Sequence, residues 1–144
     1  MPQMIFVNLP VADLDRARAF YEAIGFTTEP KFTNDRAACM VLSETIYVML
    51  LTHDFWAGFT DRRRVDARTE AQVLLCISRD DRGAVDAITA AAVRAGGTAD
   101  PCPVQDHGFM YGRSFADPDG HIWEPMWMSA EAVEQGPAEM SHAG

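Results

Sequence analysis

The sequence has no apolar run approaching the roughly 18–20 residues that a membrane-spanning helix needs, so no membrane span is expected. Its start, Met1-Pro2-Gln3, shows no basic region followed by a long apolar stretch, and no signal peptide is predicted. Cysteine is scarce. Cys39, Cys76 and Cys102 are odd in number and nowhere form a C-x-x-C pair, which argues against a disulfide framework and a structural zinc site. Cys39 and Cys76 lie in apolar runs, where a free thiol behaves as a small hydrophobe, so a reduced cytoplasmic protein is expected. No histidine sits beside any of them to raise a nucleophile. Positive charge is also in short supply: 12 Lys and Arg face 21 Asp and Glu, a net charge of −9. Such a chain repels polyanions on average, and nucleic acid is not an expected partner.

What is present is an ordinary globular mix, 144 residues with 48% apolar and 23% charged. One domain over residues 1–144 is expected. Met4 to Leu9 reads as a strand apolar on both faces, ended by Pro10. Asp13 can cap a helix whose stripe is Leu14, Ala17, Phe20, Tyr21 and Ile24, with Gly25 beyond its end. Ala37 to Leu42 and Ile46 to Thr52 read as a hairpin around Ser43-Glu44-Thr45. The pattern then restarts. Ala71 to Ile77 reads as a strand, and Asp80 or Asp81 caps a helix to about Ala95 with Val85, Ile88, Ala92 and Val93 inward. Short strands are predicted around Thr98 to Gln105, Met110 to Phe115 and His121 to Met128, the last two joined by the turn Asp117-Pro118-Asp119-Gly120. The glycines of Gly108-Phe109-Met110-Tyr111-Gly112-Arg113 read as bends opening a strand.

The order strand, helix, strands therefore occurs twice. Module one spans about 4–58, a linker about 53–69, module two about 70–128, and a polar tail 129–144. Two such half-domains would enclose a shared cavity, with helices on the outer sheet faces. The linker carries the aromatic run Phe55, Trp56 and Phe59, readable as a mobile lid, and the basic run Arg62-Arg63-Arg64. The basic run is either a solvated turn or an anion clamp beside a pocket.

Two segments resemble a known superfamily. Val11-Ala12-Asp13 through Phe20-Tyr21 to Gly25-Phe26 is similar to the opening motif, and Phe115-Ala116-Asp117-Pro118-Asp119-Gly120 through Glu124 to the closing motif, of the vicinal oxygen chelate superfamily. Glyoxalase I, bleomycin-resistance proteins and extradiol dioxygenases belong to it. Over residues 4–128 the resemblance implies an α+β fold, two βαβββ modules forming a half-open sheet around a shared cavity. It also implies a homodimer.

Members that use a divalent metal (zinc, nickel, iron or manganese) place His, Gln or Glu ligands on four strands. The matching positions here are Phe6, Met49 (or a neighbour), Gln72 and Glu124. Only Glu124 is a good ligand and Gln72 a weak one, short of the roughly three protein ligands of a catalytic site. No metal cofactor is expected; one would need His53, His107 or His121 as a substitute.

Strand alternation puts Phe6, Asn8, Met49, Leu51, Gln72, Leu74, Glu124 and Met126 inward, with Tyr111 or Arg113 beside them. Such walls suit a small, aromatic or cationic ligand in an apolar cavity. Arg113 or Gln72 would partner the Glu124 carboxylate; failing that, Glu124 would take up a proton and could serve as a catalytic base. The expectation is a metal-free small-molecule-binding protein. The alternatives are a metal-dependent lyase of the glyoxalase I type, an extradiol dioxygenase, a metal-independent enzyme using Glu124, and a scaffold with no pocket.

Overall fold

A computed structural model describes residues 2–136. Module one contains β1 (Ile5–Val11), α1 (Leu14–Ala23), β2 (Thr27–Glu29), a single 3-10 turn (Pro30–Phe32), β3 (Ala37–Val41) and β4 (Ile46–Thr52). A short helix, α2 (His53–Ala57), follows where the sequence suggests only loop. Module two contains β5 (Leu75–Ser78), α3 (Arg82–Arg94), β6 (Thr98–Ala99), β7 (Gln105–Asp106), β8 (Met110–Gly112), β9 (Phe115–Ala116) and β10 (Ile122–Met128), with α4 (Ala130–Gln135) after it. No helix among the described residues is long and apolar enough to cross a membrane.

The two sheets share one plan. In the first the order is β1-β4-β3-β2, with β1 parallel to β4 and the other pairs antiparallel. In the second, β10 is flanked by the parallel β5 on one side and by β8 and β9 in succession on the other, with β7 and β6 outside them. Both helices start on an aspartate: Asp13 accepts from the Arg16 amide at 3.1 Å and Asp81 from the Ala84 amide at 2.7 Å. α1 buries Ala17, Phe20 and Tyr21. α3 buries Val85, Ile88, Thr89 and Ala92. Val93, expected inside, is exposed; Thr89 takes the inner position, its hydroxyl donating to the Val85 carbonyl at 2.9 Å.

Pro10 does not end β1. It lies one residue before the strand's last position, and β1 borders its sheet, where a missing amide hydrogen costs no ladder bond on the open side. The second module's first strand is shorter than expected, because residues 71–74 pair with nothing and β5 starts at Leu75.

One core joins the modules. Leu9, Val11, Met40, Val48 and Leu50 of the first sheet cluster with Ile77, Ile88, Ala92, Phe115 and Trp123 of the second module. The junction is aromatic. Phe20 lies 6.2 Å from Phe115, and Tyr21 lies 6.0 Å from Trp123, ring centre to ring centre. Burying each such ring contributes about 1.5–3 kcal/mol. Approach at this junction is close: a Cβ on Gly97 would sit 2.4 Å from the Ala116 carbonyl oxygen and 2.9 Å from the Phe20 ring.

The motifs that carry the resemblance meet here. Tyr21 donates to Asp117 at 2.6 Å, and the Trp123 indole donates to the Tyr21 hydroxyl at 2.9 Å. The second Asp117 oxygen accepts from the amides of Asp119 and His121, both at 2.9 Å. Burial raises the pKa of Tyr21, and the Asp117 charge adds to the rise. Asp117 itself is also shifted upward, chiefly by burial. These residues clasp the two modules together and are occupied in doing so.

Candidate functional site

A cavity of about 480 Å³ lies between the modules. Asn8 and Pro10 of β1 form one wall; Glu70, Ala71, Gln72, Val73 and Leu75, in and just before β5, form another. His121 and Ile122 close the floor, Trp56 of α2 one end, and the linker through Arg62, Arg63, Arg64 and Val65 the rim. His121 is held by its Nε2, which donates to the Pro10 carbonyl at 2.7 Å. The Trp56 indole nitrogen is buried and has no hydrogen-bond partner among the described residues. A buried donor without an acceptor is costly, about 1–3 kcal/mol.

The linker is seated on module two. Gly120 has φ +97°, and a Cβ there would lie 2.6 Å from the Arg68 amide nitrogen. Only glycine fits both demands at that position. Inside the linker, Asp66 accepts from the Arg68 amide at 3.0 Å and its guanidinium at 3.1 Å. The linker residues Arg64 to Arg68 also line a second cavity of about 360 Å³, beside His53, Asp119 and His121. One Asp119 oxygen accepts from the Ala12 amide at 2.8 Å, whereas the other is buried with no partner among the described residues. Burial holds the His53 pKa below its ordinary value, and the nearby Arg64 charge lowers it further.

The cavity takes up only part of the expected site. Asn8 and Gln72 line it; Phe6, Met49, Leu51, Leu74, Tyr111, Arg113, Glu124 and Met126 do not. Phe6 stacks on Tyr47 at 4.6 Å on the open face of the first sheet. Leu51 is buried, with α2 packed on β4. Leu74 is half exposed ahead of β5. Glu124 and Met126 share the open face of β10, opposite the buried Trp123 and Pro125.

Tyr111 and Arg113 are turned to the α3 side, a correction to their expected place. Tyr111 donates to Asp86 at 2.6 Å, and Arg113 bonds Asp86 at 3.1 Å and Asp100 at 2.7 Å. A paired guanidinium that reaches two helix-side carboxylates has no reason to cross the sheet to Glu124. Arg113's bonds hold Asp100 below the ordinary carboxylate range; Asp86 is held low first by the Tyr111 hydroxyl and then by Arg113. The expected Arg113–Glu124 pair is therefore absent.

The neighbour of Glu124 across the strand pair is Cys76, not Gln72. Sequence reasoning misses Cys76 because it begins the strand four residues early. The pKa of this thiol is raised by desolvation and then by the Glu124 charge, so it stays protonated at neutral pH and is a poor nucleophile. Trp56, which the aromatic run places in a lid, lies in α2 and lines the cavity. Its position in a five-residue helix, capped by the Thr52 hydroxyl accepting from the Phe55 amide at 3.3 Å, has a local signal in Thr52-His53-Asp54.

The metal-ligand positions do not fit a divalent cation. Phe6 offers no donor, Met49 only a thioether, and Gln72 stands apart from the strand register of Glu124. Among the described residues no three His, Cys, Asp or Glu side chains converge as a metal-holding group.

Comparison with known proteins agrees with this architecture. The family described as bleomycin resistance protein-like N-terminal matches residues 3–43. No curated protein matches the chain. Among solved structures, a hypothetical protein from S. aureus is similar at TM-score 0.73 and 24% identity, covering 88% of this chain and 95% of its own. A glyoxalase-related enzyme from Fulvimarina pelagi gives 0.71 and 22%, covering 88% of each. A glyoxalase/bleomycin resistance protein/dioxygenase family enzyme from Burkholderia phytofirmans PsJN gives 0.70 and 19%, covering 88% and 99%. Paired βαβββ sheets, the Tyr21–Asp117 clasp and these likenesses lead to one conclusion: the chain has the glyoxalase/bleomycin-resistance fold, and its residues 3–43 match the bleomycin resistance protein-like N-terminal family.

Proposed function

We propose that the protein binds a small aromatic molecule in the cavity between β1 and the linker, without a resident divalent metal. The observation that carries this reading is the cavity itself. Its volume of about 480 Å³ falls in the range of small-molecule sites, roughly 300–1,000 Å³. Pro10, Val73, Leu75 and Ile122 give it apolar walls, and Trp56 a flat aromatic end. Asn8 and Gln72 add a few polar points, the usual recipe for orienting a ligand. The donor set at the family's ligand positions supports the metal-free half of the reading. Glu124 lies outside this cavity, so the reading does not use it as a base.

The test is titration with N-phenylnaphthylamine, a neutral reporter that fluoresces in dry sites. We expect saturable binding, equal before and after chelator treatment, and lost in Ala71→Trp, which fills the cavity. Binding that needs added zinc, nickel, iron or manganese would overturn the metal-free half. Binding indifferent to Ala71→Trp would overturn the location.

A further inference from the structure

The net charge of −9 hides a local reversal. Three consecutive arginines, Arg62, Arg63 and Arg64, are among the residues that line the cavity, as is His121, and Glu70 is the one acidic residue among those described there. Six other basic side chains, those of Arg16, Arg18, Lys31, Arg68, Arg82 and Arg113, stand within 4.0 Å of a carboxylate. Among the described residues none of the three cavity arginines does. Trp56 lines the same cavity, its indole nitrogen buried within the protein and without an acceptor among the described residues. The cavity rim thus gathers three arginines with no carboxylate partner among the described residues, beside walls that are largely apolar.

We propose that the cavity's ligand is an organic anion, an aromatic carboxylate or a group of like charge. Its anionic end meets Arg62–Arg64 at the rim, and its ring lies against Trp56 and Pro10. The proposal rests on the reading that the cavity binds a small molecule, and it replaces the cationic ligand suggested by overall composition. The acidic surface does not cancel the site. At physiological salt the screening length is about 8 Å, so carboxylates farther away count little beside guanidinium groups in contact with the ligand. Arginine suits this task because its planar fork bonds a carboxylate with two parallel N–H donors. The Trp56 indole adds a stacking face.

The experiment compares two reporters that share a ring system: anilinonaphthalene sulfonate, an anion, and N-phenylnaphthylamine, which lacks the sulfonate. Each is titrated into the wild-type protein, Ala71→Trp, and the triple variant Arg62→Ala/Arg63→Ala/Arg64→Ala, whose folding is checked by thermal melting. We expect the anion to bind the wild-type cavity about tenfold tighter or more, as charge-assisted bonds would give. Added salt should shrink that preference, and the triple variant should lose it. Equal or tighter binding of the neutral reporter to the wild type would overturn the anion proposal and leave the cavity reading standing. So would an unchanged preference in the triple variant. If Ala71→Trp blocks neither reporter, the cavity reading fails and this proposal with it.

Discussion

β4 of module one runs seven residues and pairs without a break along β3 on one side and β1 on the other. Its counterpart β10 is equally long, but it meets two short strands, β8 and β9, with Arg113 and Ser114 between them. The helices that cover the two sheets begin on the same residue type, so the modules do not differ in local design. They differ in how the sheet is tied to its helix. In module one, apolar Met40, Val48 and Leu50 face α1. In module two Arg113 lies opposite Pro125 and points to the α3 side, where Asp86 and Asp100 bind it and Tyr111 donates to the same Asp86. One repeat uses packing where the other uses packing and a charged network, at the same place in the same plan.

The comparison can be broken most forcefully at Trp123, which packs at the seam where the modules share their core. Trp123→Ala should cost about 3–5 kcal/mol, against about 2–5 for Leu50→Ala in the first sheet. Chemical denaturation of both variants measures the difference. If Leu50→Ala proves the costlier, the core is centred in module one and not at the seam. A subtler cut is Tyr21→Phe, which strands the buried Asp117 oxygen and the Trp123 indole. We expect a loss of about 1–3 kcal/mol with no change in the cavity's reporter affinity. A loss below a few tenths would mean that the hydrogen bonds of the clasp are incidental to its packing.

The smallest effect concerns the charged network. Asp86 and Asp100 have pKa values below their ordinary 3.8 in the folded state, so their contribution is present above that pH and is lost as pH falls through their folded values. Arg113→Met should remove that part of the acid sensitivity. At pH 7 it should cost under about 1 kcal/mol, because the pairs are partly exposed. Thermal melts from pH 7 down to pH 3 test this. An acid limb unchanged by the substitution would show that module two does not depend on the network.

Much of this is legible in the sequence, and the pattern of misses is physical. Helix α1 and the β3–β4 hairpin follow from apolar spacing, the Asp13 cap and the polar turn, because those signals lie within a few residues of each other. The run Ala71–Leu74 is different: it has strand chemistry but no partner to pair with, and no local pattern reports the absence of a partner. Cys76 escapes notice for the same reason as β5's true start. Alternation allows Arg113 to face Glu124 because it does not fix the register between strands; the Arg113 amide bonds the Pro125 carbonyl, which puts Arg113 on the opposite face from Glu124. The actual partner, Asp86, lies 27 residues earlier. Asn8 and Gln72 are found because the cavity's polar points lie on segments whose position the repeat sets. Arg62–Arg64 are visible as a motif, but their place at the cavity depends on the seating of Arg68 against Gly120, a contact 52 residues apart in the chain.

The Tyr21–Asp117–Trp123 clasp has one more consequence. It holds the modules face to face without a covalent bond, and none of its three side chains comes from the segment that joins them. The joining peptide then serves as a tether: it keeps each half at a high effective concentration near the other and adds little to the strength of their contact. Away from the Arg68 seat, length and sequence in that stretch are free to change with the ligand, while the two halves continue to recognise each other through the same three side chains.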